Sequence, residues 1–173
     1  GNCILALGTF DGIHKGHRAV LEKALTEGKK RGLVPAVLLF DEHPRKRLFG
    51  EAPPEIITES DRKNQIEEMG LSVVTVPFSE ICGLSAEEFV TKIYCSLNVR
   101  AISCGYNYQY GKGACGNTAT LKEECEKLGI ALFVASEKKF KGEAVSSTRI
   151  RKALQDGEIR DANAMLGREF SYC

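Results

Sequence analysis

Two histidines, His14 and His17, stand three residues apart in "GTFDGIHKGHR" (Gly8–Arg18), with Lys15 and Arg18 beside them and Gly16 between. Residues three apart share one face of a helical turn. The first turn of a helix also presents unpaired amides and the positive end of the helix dipole. Such an end attracts phosphate, and a glycine lets a ligand approach the backbone closely. The spacing therefore supports a polyphosphate cradle. The same residues admit a second reading. His17 is in phase with Val20, Leu21, Ala24 and Leu25, a helical apolar stripe, so it can equally be a hydrogen-bonded core histidine, with Lys15 and Arg18 solvated. Zinc has little to bind: the one remaining histidine is His43, and no H-E-x-x-H occurs. A second anion-binding candidate is "SSTRIR" (Ser146–Arg151), where Ser147 and Arg151 lie four apart beside first-turn amides. Alone, it reads just as well as a serine cap with exposed arginines.

The elements that must position these residues follow from periodicity. "CILALG" (Cys3–Gly8) and "VPAVLLF" (Val34–Phe40) are apolar runs of buried-strand length, separated by a helix expected over about His17–Arg31. "TESDRKNQIEEMG" is expected to be a helix capped by Thr58 with Asp61 as third residue, and "LSAEEFVTKIYCSL" carries a capping box, Ser85 with Glu88. Strands are expected at "SVVTVPF", "RAISCG" and "IALFVAS", with a helix at "TLKEECEKLG" between the last two. Two short helices close the chain, stopped at Gly157 and Gly167. Alternating strands and helices indicate βαβ units. The expected fold is a single α/β domain over residues 1–173: a doubly wound, Rossmann-like parallel sheet of about five strands. In such a sheet, ligands bind beyond the carboxyl ends of the strands, where Gly8–Gly16 falls.

The 173 residues suit one domain with a full core. A net charge of +1 gives no bulk attraction to nucleic acid or membrane, and no apolar run reaches the roughly 20 residues of a bilayer span. No signal peptide precedes the first strand. Seven cysteines, an odd number without a C-x-x-C pair, point to reduced thiols and a cytoplasmic protein.

Two further stretches invite chemistry. "YNYQY" offers Tyr106, Tyr108 and Tyr110 at alternating positions, to stack on a planar ligand or to pack a core edge. "GKGACG" (Gly111–Gly116) fits G-x-G-x-x-G, but it begins six residues past Gly105 rather than at a strand end, so a dinucleotide fingerprint is disfavoured.

Taken in order, the motifs resemble one family. G-x-F-D-G-x-H-x-G-H resembles the H-x-G-H signature of the nucleotidyltransferase superfamily, and its Gly-x-Phe-Asp-Gly prefix resembles the adenylyltransferase module of bacterial FAD synthetases. "FDEHPRK" (Phe40–Lys46) is similar to that family's F-x-P-H-P loop, with Glu42 replacing the first proline. "GYNYQYGKGACGN" (Gly105–Asn117) is similar to its G-x-D/N-F-x-F-G segment, with Tyr108 and Tyr110 where phenylalanine is usual. "SSTRIR" matches S-S-T-x-I-R, and "LGREFSY" (Leu166–Tyr172) is similar to L-G-R-P-Y. The resemblance covers nearly the whole chain. It implies FMN adenylyltransferase activity, with ATP and FMN as substrates, FAD and pyrophosphate as products, and Mg²⁺ accompanying ATP. It implies His14, His17 and Arg151 as catalytic residues. It implies ATP binding by Gly8, Thr9, Phe10, Asp11, Gly12, His14, Gly16, His17, Gly105, Ser147, Thr148 and Arg151. FMN would meet Phe40, His43, Pro44, Asn107, Tyr108 and Tyr110, with Asn107 a candidate Mg²⁺ ligand and Glu42 pointing to solvent. In the family a riboflavin kinase module usually follows; none is recognisable in the 173 residues, which leaves open a fragment or a stand-alone enzyme fed with FMN from elsewhere.

Overall fold

The computed structural model describes residues 1–41, 56 and 58–167. Its core is a five-stranded, all-parallel sheet: β1 (Cys3–Leu7), β2 (Val34–Phe40), β3 (Ser72–Val76), β4 (Val99–Gly105) and β5 (Ala131–Ala135), in spatial order β3-β2-β1-β4-β5. The helices are α1 (Lys15–Arg31), α2 (Glu59–Glu68), α3 (Ala86–Leu97), α4 (Thr118–Leu128), α5 (Ser147–Gln155) and α6 (Ile159–Leu166). The expected doubly wound α/β fold with five parallel strands is what forms.

Burial explains the continuous apolar runs. Strand β1 sends Ile4 and Ala6 to one face, against Val20, Leu21 and Ala24 of α1 and Ile66 of α2. It sends Leu5 and Leu7 to the other, against Phe89, Val90 and Ile93 of α3 and Leu121 of α4. A central parallel strand covered on both faces has no polar side to show. Cys104 and Cys125 pack in the second layer, and burial pushes both thiols up to about 12; they behave as small hydrophobes. A third cluster joins Val145, Ile150 and Ala153 to Ala162, Met165 and Leu166, and receives Ile56.

Local signals that predicted helix starts are realised. Thr58 accepts from the Asp61 amide, and Ser85 and Glu88 form a reciprocal capping box. Two features differ from expectation. Helix α1 begins at Lys15, two residues before His17, because His14 caps it. A small antiparallel hairpin, β6 (Lys139–Phe140) with β7 (Glu143–Ala144), intervenes before α5. Its two-residue turn places Lys141 and Gly142 at φ 53° and 78°, the double positive φ of the turn that matches strand twist.

The strand order reverses direction between β1 and β4. Loops leaving these neighbours therefore diverge to opposite faces and open a crevice at their carboxyl ends. Helix α1 is seated on the sheet by Gly28: a Cβ there would lie 3.0 Å from the Leu33 carbonyl oxygen and 3.2 Å from Ile4 Cγ2. In an exposed helix, Gly→Ala stabilises by about 1 kcal/mol. Here the backbone oxygen cannot move aside, and overpacking reverses the sign. Gly28→Ala is expected to lower stability by about 1–2 kcal/mol in urea unfolding; a gain in stability would contradict this seating of α1.

Candidate active site

The loop from β1 to α1 crosses the crevice in a strained path. Phe10, Gly12 and Ile13 have φ of 54°, 80° and 45°. For two non-glycine residues this costs of the order of 1–3 kcal/mol each, offset by burial of both side chains, Phe10 at 0% and Ile13 at 1% exposure. The Phe10 ring packs edge-on to His17, centroids 5.4 Å apart. Gly12 has no room for a side chain, since a Cβ would meet Ile56 Cδ1 at 2.9 Å.

At the end of this loop the two histidines cap α1 for each other. His14 Nδ1 accepts from the Gly16 and His17 amides at 3.0 and 3.3 Å, and His17 Nδ1 accepts from the His14 amide at 3.3 Å. The rings stack at 3.6 Å with 14° between planes. An accepting Nδ1 carries no proton, so the backbone fixes both rings as neutral tautomers with hydrogen on Nε2. Gly16 is required beneath them, because a Cβ would lie 2.8 Å from His14 Cε1. Both readings of these residues left open by the sequence are thus partly realised: the histidines are hydrogen-bonded into the fold, and both line the crevice.

Across the crevice lies the start of α5. Ser146 caps it, its Oγ accepting from the Arg149 amide at 3.2 Å. Ser147 Oγ donates to the Asp11 carbonyl at 2.8 Å, so its hydroxyl proton ties the two loops together. The carboxylate of Asp11 forms an ion pair with Arg151, and both side chains are largely buried, 9% and 14% exposed. The Ile56 amide approaches Asp11 Oδ1 at 3.4 Å. From α2, Arg62 Nη1 donates to the Thr9 carbonyl at 3.1 Å.

The resulting cleft has a volume of about 310 Å³, the scale of a small-molecule site. Of the residues expected in it, Gly8, Thr9, Phe10, His14, Gly16 and His17 line one side, Gly105, Asn107 and Tyr108 the floor, and Ser147 the far wall. Asp11, Gly12 and Arg151 lie behind the lining, holding it together. Thr148 is exposed and outside the lining. Phe40 packs edge-on against Phe78 at 5.1 Å, away from the lining. Tyr110 is buried in the core, its hydroxyl 3.2 Å from Thr120 Oγ1, and stacks under Tyr108 at 5.7 Å. Burial keeps the Tyr108 hydroxyl protonated by raising its pKa. Glu42, His43 and Pro44 lie outside the described residues. "GKGACG" spans a short 3₁₀ turn and an isolated bridge, Tyr110 with Gly116, rather than a strand-to-helix turn, so it has no dinucleotide-binding geometry.

Tyr106, one of the three tyrosines offered for stacking, lies in the lining; sequence reasoning missed Ser146 and Gln109, and Ala135, Ser136, Lys138 and Val145 from the far side. Strand β5 ends there; a signal existed in the rule that strand carboxyl ends form the site. Asn107 folds back over Gly105, its Oδ1 3.4 Å from the position of a Gly105 Cβ. The lining holds neutral oxygens and no carboxylate, and the described residues contain no cluster of three metal-ligating side chains. Among the described lining residues, the Asn107 amide oxygen is a neutral donor of the kind a Mg²⁺ ion could accept.

The fold and the cleft define an α/β domain of nucleotidyltransferase type. The chain matches the FAD synthetase family over residues 1–149, and it belongs to that family. It is 34% identical over 172 residues to the bifunctional riboflavin kinase/FMN adenylyltransferase of Bacillus subtilis (strain 168), covering 96% of this chain and 54% of that protein. The corresponding Escherichia coli (strain K12) protein is 30% identical over 174 residues, with 98% and 55% covered. A crystal structure described as a macrolide-efflux protein from Streptococcus pneumoniae superposes with a TM-score of 0.87 at 26% identity, covering 98% of this chain and 66% of that one. The chain spans about half the length of the curated relatives it matches.

Burial lowers the His14 pKa to about 4, against about 6.5 in an unfolded chain. Above pH 6.5 the ring is neutral in both states and its contribution to stability is complete. As pH falls toward 4, the unfolded chain takes up a proton that the folded chain refuses, and stability is lost, about 2 kcal/mol by pH 5. His14→Asn keeps an oxygen acceptor at the cap and removes the titration. Urea unfolding at pH 7 and pH 5 should show a smaller pH loss in this variant by about that amount; equal losses would mean that His14 is not held neutral.

Proposed function

We propose that this chain is an FMN adenylyltransferase, transferring AMP from ATP to FMN to give FAD and pyrophosphate. The observation that carries the reading is the reciprocally capped histidine pair at the switch-point cleft, facing the start of α5, in a chain of the FAD synthetase family. An FMN phosphate oxygen is already a competent nucleophile. The new bond forms between it and the α-phosphorus of ATP, and the bond from that phosphorus to the bridging oxygen of pyrophosphate breaks. No base is needed, so catalysis falls to positioning and electrostatic stabilisation.

The chain supplies both through groups fixed before substrate arrives. The Nε2–H groups of His14 and His17 donate to the α-phosphate oxygens as their charge changes. The amides of Ser147 and Thr148, first in α5, have no helical acceptor and serve the β- and γ-phosphates. Asp11 and Arg151 act as positioning residues, tying the loop that leads into α1 to the start of α5 across the cleft. Asn107 could offer a neutral oxygen to a Mg²⁺ ion bound with ATP, which would supply neutralisation of phosphate charge. Tyr108 and Asn107 meet the acceptor or the phosphates from the floor of the cleft. FMN comes from a riboflavin kinase activity, as the bifunctional relatives' names suggest, and the reaction belongs in the cytoplasm.

The test is incubation with ATP, Mg²⁺ and FMN, following FAD and pyrophosphate. His17→Ala should lower kcat at least about tenfold, about 1.4 kcal/mol of transition-state stabilisation, with the fold intact by circular dichroism. Tight FMN binding without FAD would reduce the chain to a flavin-binding module. Turnover of another phosphate acceptor in preference to FMN would reassign the substrate.

A further inference from the structure

A cleft that receives a triphosphate must answer its negative charge, and three basic side chains of the two motifs are engaged in the fold. The Arg151 guanidinium is paired with the Asp11 carboxylate. His14 is a neutral acceptor for two amides. Arg149 Nη1 donates to the carbonyls of Phe140, Glu143 and Ala144, at 3.1, 2.9 and 2.9 Å. Among the described residues that line the cleft there is one lysine or arginine, Lys138.

Its place is built. The Lys138 carbonyl accepts from the Val145 amide at 2.7 Å, closing the base of the β6–β7 hairpin. The three Arg149 bonds fasten that hairpin to α5. The main chain of Lys138 is therefore held beside Ser146 and Ser147, while its side chain is exposed. Sheet order separates it from β2 and Phe40 by β1 and β4. A ligand group it meets lies on the β5–α5 side of the cleft, with the start of α5, and in the reading above that is the nucleotide donor.

We propose that Lys138 binds the triphosphate of the nucleotide donor, supplying a mobile positive charge from outside the two phosphate-binding motifs. The inference rests on the proposed function for the identity of the donor. A lysine suits the role: its ammonium is a compact point charge on a flexible stem, able to follow phosphates as bonds change.

The test is equilibrium binding of ATP and of adenosine, each with Mg²⁺, to the wild-type chain, Lys138→Met and Lys138→Arg, at low and high salt. Lys138→Met should weaken ATP binding about tenfold, equivalent to about 1.4 kcal/mol, leave adenosine unchanged and flatten the salt dependence of ATP binding. Lys138→Arg should recover most of the loss, and the KM for FMN should not move. Equal weakening of adenosine and ATP, no weakening of either, or a rise confined to the KM for FMN would each overturn the proposal. The two readings fail separately: a wild-type chain that binds ATP but makes no FAD removes the adenylyltransferase reading, while the comparison of ATP with adenosine still decides the role of Lys138.

Discussion

The buried ion pair between Asp11 and Arg151 is the constraint on which the cleft depends. It joins residues 140 positions apart, one in the loop after β1 and one in the first turns of α5. Removing one partner of such a pair leaves a buried charge uncompensated, at about 3–5 kcal/mol, so loop and helix stay docked. The Ser147 hydroxyl on the Asp11 carbonyl adds a second tie at the same place. Gly12 and Ile56 fill the space beneath, and Ile56 also packs in the α5–α6 cluster. The spacing of the two helix starts is thus set by two polar contacts and one apolar plug, and of these residues Ser147 alone, among those described, lines the cleft.

The histidine pair illustrates how a fold selects protonation. An imidazole at a helix N-cap must accept from amides, and acceptance requires an unprotonated Nδ1. The arrangement therefore excludes the imidazolium form through the same hydrogen bonds that start α1. What remains for chemistry is a pair of neutral donors, stacked and immobile, supported by Phe10 and by the absence of a Cβ on Gly16. Preorganised donors of this kind stabilise developing charge without reorganising during the reaction.

Most of the fold was legible from residues because its determinants are local. The unbroken run Cys3–Leu7, the Thr58 cap and the Ser85–Glu88 box each declare themselves within a few positions. The start of α1 was misplaced because histidine is an unusual cap, and its role depends on a partner three residues on that caps in return. The β6–β7 hairpin escaped notice because two-residue strands carry no alternation and its turn reads Lys-Gly rather than Asn-Gly. Tyr106, Tyr108 and Tyr110 looked equivalent at alternate positions. In fact the segment descends from the cleft rim into the core, so Tyr106 is 42% exposed, Tyr108 half-buried and Tyr110 6% exposed. Spacing singled out Arg151, four residues from Ser147, over Arg149, but not their partners; long-range contacts give Arg149 to the hairpin and Arg151 to Asp11.

Among the described residues that line the cleft, permanent charge is scarce, and this has a consequence for the proposed reaction. Substrate and product are both polyanions, and a site crowded with fixed cations would hold them as tightly as the transition state. Uniform binding of that sort lowers KM without raising kcat. Neutral Nε2–H donors and helix amides respond instead to local charge and geometry at the reacting phosphorus, where discrimination between ground and transition states arises. In the proposal above, Lys138 on the rim would then meet the remaining charge from the solvent side, where it is screened and readily released. The division of labour follows from burial: His14 is buried and fixed by the backbone, so in the proposed reaction it can be specific as a dipole, whereas Lys138 is exposed and must use a full charge to be felt.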